Sequence, residues 1–376
     1  MASKVSANLS GVLLRIVQKK KNVYVRHKLD TEIDQYYQTL LNVVIPGCME
    51  SVKEIPGFSQ RMKYCISYTT PSYFDGCNFS TELIYRTVAE KHHQTEENIE
   101  KSRILRALME MCFAMIALVD DIVDKGEVRC GKKIWSSICE GGQEAAFYDS
   151  YTVNYLITCM LQRHFRNDPG YSRMLELFAM VNGSAAIGQT LDILDRKNFD
   201  YNDVIWKHTV ENKAMKPVCA ASGLGLLHAG IICDDLLYKT MNVFAYYGLL
   251  FQVWDDFMEY YSLKEQSGKD APDSESNVNS WATVTAMAHF NAAQAKEFKA
   301  CYGSGDPAKR SRVCELFDEV DLPGKYVEYL MNTRMTIAKK IRQIPDVRIR
   351  SACTSYMEWL LGEADYDVQL ERLESF

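Results

Sequence analysis

The stretch "CFAMIALVDDIVDKGEVRCG", residues 112–131, joins an apolar run to three closely spaced aspartates. Residues 112–119 are apolar on nearly every side of a helix, and Asp120, Asp121 and Asp124 follow directly. A helix on the protein surface would instead have polar residues behind its acids. Buried carboxylates that lie close together are costly unless a cation pairs with them. The stretch therefore predicts an enclosed helix that delivers a cation-binding acid cluster.

A second acid cluster repeats this pattern further along the chain. In "GLLFQVWDDFMEYY", residues 248–261, an apolar run leads to Asp255, Asp256 and Glu259. In each cluster the first and last acids are four residues apart, so they share one helix face. Oxygen ligands without histidine or cysteine favour Mg²⁺, which keeps positions open for phosphate oxygens. The two clusters together predict a Mg²⁺-diphosphate site, whereas either cluster alone could be a solvated helix face or a cap.

The rest of the chain has the composition of a large helical protein. Its 376 residues are 47% hydrophobic and 24% charged, and no low-complexity linker divides them. From about residue 29 onward the apolar spacing is helical, and convincing alternating strands are absent from the sequence. We therefore expect a single all-α domain over residues 35–376, a helical bundle around a central cavity. Pro46-Gly47 is expected to end the first helix.

Charge and cysteine content argue against several classes of protein. The net charge of −6, without a basic stripe interleaved with aromatics, argues against a nucleic-acid surface. The twelve cysteines are scattered singly, without a zinc motif, which favours reduced thiols in an intracellular compartment. No segment approaches the roughly eighteen consecutive apolar residues of a membrane span, so none is expected.

The N-terminal segment differs from everything that follows. Residues 1–29 carry seven lysines and arginines and no acid. Within them "SGVLLRIVQKKK", residues 10–21, is amphipathic and basic, as a mitochondrial transit peptide would be. A disordered basic tail is an equal alternative. Residues 1–34 are therefore expected to lie outside the domain, and cytoplasmic and mitochondrial locations both stay open.

Several motifs, in one fixed order, resemble those of the trans-isoprenyl diphosphate synthases, such as farnesyl diphosphate synthase, and of related terpene synthases. The matching segments are "DDIVDKGEVRCGKKIW" (120–135), "GQTLDIL" (188–194), "ENKAMKPVCAASGLGLLHAG" (211–230), "FQVWDDFMEYY" (251–261) and "SGKD" (267–270). The resemblance implies the isoprenoid synthase fold, a prenyl diphosphate substrate, three Mg²⁺ ions and a homodimer.

The resemblance also implies a metal role for both acid clusters. Asp120 and Asp124 would bridge two Mg²⁺ ions, and Asp255 would hold a third. The acids expected to support these three, with a glutamate in place of the family's final aspartate, are Asp121, Asp256 and Glu259.

For the substrate, the resemblance implies that Arg129 and Lys213 donate hydrogen bonds to the allylic diphosphate as it leaves. Gln189, Asp192 and Lys269 would line the same pocket. Aromatic faces can stabilise the carbocation that remains. The aromatic candidates, each of which could equally be a core residue, are Phe113, Phe251, Trp254 and Phe257. Farnesyl-producing relatives carry aromatic residues four and five positions before the first motif; the residues here, Ile116 and Met115, predict a reshaped or deeper pocket.

The sequence departs from chain-elongating relatives where they bind isopentenyl diphosphate. In the corresponding loop, "DGCNFSTE" (75–82), Cys77 and Ser80 replace a lysine and an arginine. Cys130 replaces the second arginine of a pair, and Phe113 replaces a glutamine. The basic C-terminal tail is also missing, since the chain ends "QLERLESF".

This pattern of losses resembles insect terpene synthases derived from isoprenyl diphosphate synthases. It predicts Mg²⁺-dependent ionisation of one prenyl diphosphate, with farnesyl preferred over geranyl diphosphate, to a sesquiterpene and diphosphate. The alternative is an elongating prenyltransferase that binds isopentenyl diphosphate through Lys132, Lys133 or Lys269. A non-catalytic subunit is disfavoured because both acid clusters are essentially intact.

Overall fold

The computed structural model describes residues 35–73, 79–129, 131–198, 200–261 and 277–360. Several sequence predictions fall outside these residues: the basic segment 1–34, Cys77, Cys130, Lys269 with its "SGKD" segment, and the C-terminal "QLERLESF".

Helices make up about 80% of the described chain, which confirms the all-α prediction. In chain order they are α1 Gln35–Thr39, α2 Ile45–Glu50, α3 Pro56–Tyr73, α4 Phe79–Val88, α5 Glu96–Asp124, α6 Trp135–Ile138, α7 Gly142–Phe165, α8 Tyr171–Asp195, α9 Asp203–Val210, α10 Lys216–His228, α11 Asp234–Tyr261, α12 Trp281–Met287, α13 Ala292–Cys301, α14 Pro307–Glu319, α15 Leu322–Arg342 and α16 Val347–Leu360. Two π-helical segments, Leu40–Val44 and Glu211–Met215, join α1 to α2 and α9 to α10.

The strands of the described chain form one small hairpin. β1, Val128–Arg129, pairs antiparallel with β2, Lys132–Lys133, and Arg129 lies opposite Lys132. The hairpin directly follows α5, so it turns the chain back beside the acids at the end of that helix.

The core forms around helices that are buried on all sides. α5 is buried without a break from Ile104 to Ala114, and α10 from Pro217 to His228. α10 contacts α4, α8 and α11, while α5 contacts α3, α4 and α7. Each large apolar side chain buried in this way contributes about 1.5–3 kcal/mol to the free energy of unfolding. The enclosed helix predicted from the run before Asp120 is therefore present.

The prediction that Pro46-Gly47 ends the first helix is wrong. The π-helical segment Leu40–Val44 closes with a hydrogen bond from the Ile45 N–H to the Leu40 carbonyl, and α2 then begins. Pro46 lies in the first turn of α2, where a helix needs no backbone donor. A Cβ on Gly47 would lie 2.6 Å from Met160 Sδ. The glycine therefore serves the close packing of α2 against α7 rather than a helix end.

One described helix, α8, is long and apolar enough to cross a membrane by length and composition. Of its most apolar window, 33% is buried within the protein. The same helix packs against α5, α9 and α10, as a core helix of the bundle would.

Candidate active site

The first acid cluster lies at the end of α5, where a hairpin folds a cation onto it. The left-handed backbone of Lys125 (φ 55°) ends the helix directly after Asp124. The β1–β2 hairpin then carries Arg129 back. Its Nε donates to Asp121 Oδ1 at 2.6 Å, and its Nη2 donates to Asp120 Oδ2 at 3.3 Å. Arg129 is only eight and nine residues from Asp121 and Asp120 in the chain, and the short hairpin allows it to contact both.

Lys213 lies in the π-helical segment Glu211–Met215, which is held between α8 and α11. A Cβ on Gly188 would lie 2.6 Å from Lys213 Cγ, and one on Gly248 would lie 2.5 Å from the Ala214 carbonyl oxygen. Both glycines therefore let a helix approach the segment closely. Short π-helical insertions are frequent at functional sites. The π-helical segment therefore lies, with Lys213, between α8 and α11.

Acids and cations from four elements meet at this point, namely α5, β1, α8 and the π-helical segment Glu211–Met215. Lys213 Nζ lies 3.0 Å from Asp192 Oδ2 and 4.0 Å from Asp120 Oδ1. On α8, Gln189 lies one turn before Asp192 and its Nε2 donates to Asp120 Oδ1. The structure therefore brings together five residues that the sequence singled out, although their catalytic roles stay predictions: Asp120, Arg129, Gln189, Asp192 and Lys213.

Arg196 completes the cluster, and no motif in the sequence indicated it. Its Nη1 donates to Asp124 Oδ1 at 2.8 Å, and its Nη2 donates to Asp192 Oδ2 at 2.9 Å. The spacing of four residues from Asp192 was the available signal, since such a pair shares a helix face. The contact with Asp124 joins residues far apart in the chain, and no local pattern predicts it.

The charges in this cluster stabilise one another. Burial lowers the pKa of Lys213, but Asp192 and Asp120 outweigh this effect, so the pKa lies above the ordinary value of lysine. Burial raises the pKa of Asp192, but the charges of Lys213 and Arg196 outweigh it, so the pKa lies below its ordinary value. Both groups therefore stay ionised at neutral pH. The cluster, which we call the first charged cluster, consists of Asp120, Asp121, Asp124, Arg129, Gln189, Asp192, Arg196 and Lys213.

The donor atoms of the first charged cluster fit Mg²⁺ in their chemistry. The side chains of Asp120 and Asp124 are 21% and 31% exposed, share one helix face and offer only oxygen ligands. Nowhere in the described residues do three acidic, histidine or cysteine side chains already converge as a metal centre. Arg129 and Arg196 contact these carboxylates instead. A bound Mg²⁺ would therefore compete with arginine side chains for the same oxygen atoms.

The second acid cluster has structural partners. Asp256 is buried, and its Oδ2 accepts a hydrogen bond from the backbone N–H of Trp281, the first residue of α12, at 2.7 Å. Glu259 accepts from Arg310 Nη2 on α14 at 3.2 Å. The two carboxylates thus hold α12 and α14 to α11. Their expected support of a metal, like the ligand role of the half-buried Asp255, stays a prediction.

The predicted aromatic and chain-length residues differ in burial. Phe257 stacks between Tyr261 and Tyr326, with ring centroids 4.6 and 4.2 Å away, so it is a core residue. Phe113 is also buried in the main core. The remaining candidates are half-buried, and these are Met115, Ile116, Phe251 and Trp254.

Buried uncharged side chains stand at the described positions that the resemblance aligns with the isopentenyl diphosphate site of elongating relatives. Ser80 is 0% exposed, and its hydroxyl has no hydrogen-bond partner among the described residues. Phe113 packs in the main hydrophobic core. Of the alternative cations, Lys132 and Lys133 are exposed on β2, and Lys132 Nζ lies 5.7 Å from the ring of Tyr68.

Comparison with known proteins agrees with the resemblance read from the motifs. Residues 79–320 match the polyprenyl synthetase family. The chain is 62% identical to an IDS-type sesquiterpene synthase of Nezara viridula over 368 residues, 98% of this chain and 97% of that protein. It is 42% identical to a sesquiterpene alcohol synthase of Murgantia histrionica over 361 residues, 96% and 94% of the two chains.

The fold also matches a solved structure of a distant relative. A T. brucei farnesyl diphosphate synthase complexed with risedronate superposes with a TM-score of 0.79 at 20% identity, covering 88% of this chain and 98% of that one. The motifs, the fold and the similarity over nearly the whole chain lead to one conclusion: the chain belongs to the polyprenyl synthetase family.

Proposed function

We propose that this protein is a terpene synthase that converts farnesyl diphosphate into a sesquiterpene hydrocarbon or alcohol and diphosphate. The observation that carries the proposal is a contrast. The first charged cluster is assembled around Asp120, whereas Ser80 and Phe113 are buried and uncharged where elongating relatives bind isopentenyl diphosphate. Charge-assisted hydrogen bonds contribute about 1.5–3 kcal/mol each, so losing several of them leaves the second substrate unbound. Two relatives named as sesquiterpene synthases support the C15 substrate.

The reaction begins with heterolysis of the bond between the allylic carbon and the diphosphate oxygen. The oxygen keeps the electron pair, and an allylic carbocation remains. Arg129 and Lys213 would donate hydrogen bonds to the departing diphosphate, where negative charge accumulates. Mg²⁺, when held by Asp120 and Asp124, supplies positive charge to the same oxygen atoms. The carbocation then loses a proton to give a hydrocarbon, or captures water and loses a proton to give an alcohol.

Half-buried side chains close to the acid clusters would shape the pocket for the carbocation. The rings of Phe251 and Trp254 lie 6.2 Å apart, on the helix that carries Asp255. Aromatic faces attract cations by about 0.5–2 kcal/mol. Met115 and Ile116 precede Asp120 by about one turn, where bulkier aromatic residues would shorten the pocket. Flexible and aliphatic side chains there leave room for a chain of at least farnesyl length.

Product analysis by gas chromatography and mass spectrometry tests the proposal. Purified protein with Mg²⁺ receives farnesyl diphosphate alone, geranyl diphosphate alone, or isopentenyl with dimethylallyl diphosphate. We expect a sesquiterpene from farnesyl diphosphate, and no turnover once EDTA removes Mg²⁺. A longer prenyl diphosphate in the third reaction, with nothing volatile in the other two, would instead establish an elongating prenyltransferase.

We also propose that two copies of the chain associate through α7 and α8. α7 exposes an aromatic stripe in which Tyr148, Tyr151 and Tyr155 are 70%, 62% and 56% exposed. The neighbouring α8 exposes Ile187 and Leu194. Exposed contiguous apolar faces are typical of interfaces, and most soluble oligomers are symmetric dimers. Light scattering on wild type and on Tyr151→Glu tests the proposal, because a monomeric wild type would contradict it.

A further inference from the structure

Arg196 connects the ends of the two helices that carry the first charged cluster. Its largely buried guanidinium bridges Asp124 at the end of α5 and Asp192 near the end of α8, at 2.8 and 2.9 Å. Its Nε has no hydrogen-bond acceptor among the described residues. An arginine has five N–H donors, so this side chain retains donors that no described group uses.

The position of Arg196 is fixed through its backbone. It caps the C-terminus of α8, where its N–H donates to the Asp192 carbonyl. Its own carbonyl accepts a hydrogen bond from Asn277 Nδ2 at 2.5 Å. The preceding residue, Asp195, is buried and accepts from Asn279 Nδ2 at 2.6 Å. The guanidinium is therefore held beside the cluster by contacts that do not depend on Asp124.

Arg196 shares its acceptor with a residue already expected to bind diphosphate. Lys213 Nζ and Arg196 Nη2 both contact Asp192 Oδ2, at 3.0 and 2.9 Å. A divalent cation on Asp124 would compete with Arg196 for the carboxylate oxygens. Donors released from Asp124 would then need another anion beside Asp192.

We infer that Arg196 is a third diphosphate-binding residue, alongside Arg129 and Lys213. The inference rests on the proposed function, since it concerns the diphosphate group of the same substrate. Guanidinium suits this task because its planar donors match phosphate oxygens in pairs. The competing explanation is that Arg196 only neutralises Asp124 and Asp192 and caps α8. That explanation predicts a change in stability without a change in diphosphate binding.

Calorimetric titration of the full-length protein with inorganic diphosphate in excess Mg²⁺ separates the two explanations. Arg196→Gln keeps one amide donor group but removes the charge and the paired donors, and we expect its Kd to rise by about tenfold or more. The KM for farnesyl diphosphate should rise in parallel. Arg196→Lys should recover part of the affinity. The matched control is Arg173→Gln, because Arg173 lies on the same helix in an exposed ion pair with Asp234; its Kd should stay within about twofold of wild type.

A Kd for Arg196→Gln within about twofold of wild type would overturn the inference, whatever its melting temperature. If the glutamine variant does not fold, Arg196→Lys decides, because a lysine lacks the paired donors and an unchanged Kd would contradict their use. Wild type that binds Mg²⁺ and diphosphate but makes no sesquiterpene would refute the proposed function alone. Wild type that makes a sesquiterpene while Arg196→Gln binds diphosphate normally would refute this inference alone.

Discussion

The two acid clusters share a sequence pattern but differ in what their carboxylates contact. The acids at the end of α5 contact the side-chain cations Arg129, Lys213 and Arg196. In the second cluster, Asp256 accepts from the Trp281 backbone and Glu259 contacts Arg310. Side-chain cations can transfer their hydrogen bonds to an arriving anion, whereas the backbone N–H at the start of α12 cannot leave its acceptor without disturbing that helix. Asp256 therefore has a structural partner, whereas Glu259, like the acids of α5, contacts a side-chain cation.

The second cluster nevertheless supports the first through the backbone of its helix. Gly248 lies on α11, two turns before Asp255, and the π-helical segment with Lys213 packs directly against it. The helix with the second acid cluster therefore helps to position a cation of the first. Substitutions on α11 should separate two effects of this helix: the positioning of Lys213 through Gly248, and any direct role of its acids in binding a metal.

The largest effect is expected at Asp120. Asp120→Asn keeps the size of the side chain but removes the charge expected to hold Mg²⁺, and it replaces one of the two oxygens that accept from Arg129 and Gln189 with an amide nitrogen. We expect kcat/KM for farnesyl diphosphate to fall by about 10²–10³-fold or more, with little change in melting temperature. Asp203→Asn, in an exposed pair with Lys207, is the control and should be fully active. Near-normal turnover of Asp120→Asn would show that the first charged cluster does not take part in the reaction.

Gly248→Ala tests the link between the clusters. The added Cβ would lie 2.5 Å from the Ala214 carbonyl oxygen, so the π-helical segment or α11 must move. We expect a loss of about 1–3 kcal/mol in the free energy of unfolding, with kcat reduced because Lys213 is displaced. Denaturant unfolding and product assays measure the two effects.

The matched control for this substitution is Gly183→Ala on α8. A Cβ there meets nothing within 4 Å, and alanine is the better helix former by about 1 kcal/mol. This variant should therefore be neutral or slightly more stable. If Gly248→Ala behaves in the same way, the close approach of α11 to the segment does not position Lys213.

Asp256→Ala should lower the stability of the protein strongly and its kcat only slightly. It leaves the buried N–H of Trp281 without its acceptor, which costs about 1–3 kcal/mol. Thermal unfolding should show a lower melting temperature, while kcat per folded molecule changes little. Asp235→Ala removes an exposed ion pair from the start of the same helix and should change stability by less than about 0.5 kcal/mol. A large loss of kcat in stable Asp256→Ala protein would instead indicate that this acid serves a metal.

The smallest effect is expected at Glu259. Glu259→Gln weakens the contact with Arg310, and a double-mutant cycle with Arg310→Met should give a coupling of about 1 kcal/mol or less. The Mg²⁺ concentration for half-maximal activity should not change. A rise in that concentration would assign Glu259 to the metal and make the two acid clusters alike.

Local pattern predicted the fold because apolar spacing reports which helix faces are buried. The run before Asp120 predicted an enclosed helix, and α5 is buried over several turns. The family's motifs named Gln189, Asp192 and Lys213, which meet Asp120 in the structure. Composition and motif order were sufficient to predict the enclosed helix and these site residues, since each residue lies within a recognisable segment.

Contacts between distant segments were not predictable from the sequence. Arg196 reaches Asp124 across the bundle, and the N–H that Asp256 accepts belongs to another helix. Pro46 was expected to end a helix, but the π-helical segment before it places the proline where no donor is needed. In each case the deciding partner is set by packing or by a local change in helix geometry, which residue identity alone does not encode.

The burial of Ser80 has an evolutionary consequence. A single substitution to arginine, the residue that the resemblance implies for elongating relatives, would put a charge into a fully buried position, and an uncompensated buried charge costs about 3–5 kcal/mol. That loss is a large part of the 5–15 kcal/mol that typically separates a folded domain from its unfolded chain. A lineage with this core could not regain an arginine at residue 80 by one mutation without first repacking the surrounding helices. At this position, the loss of the second substrate that we propose would not be reversed by a single mutation.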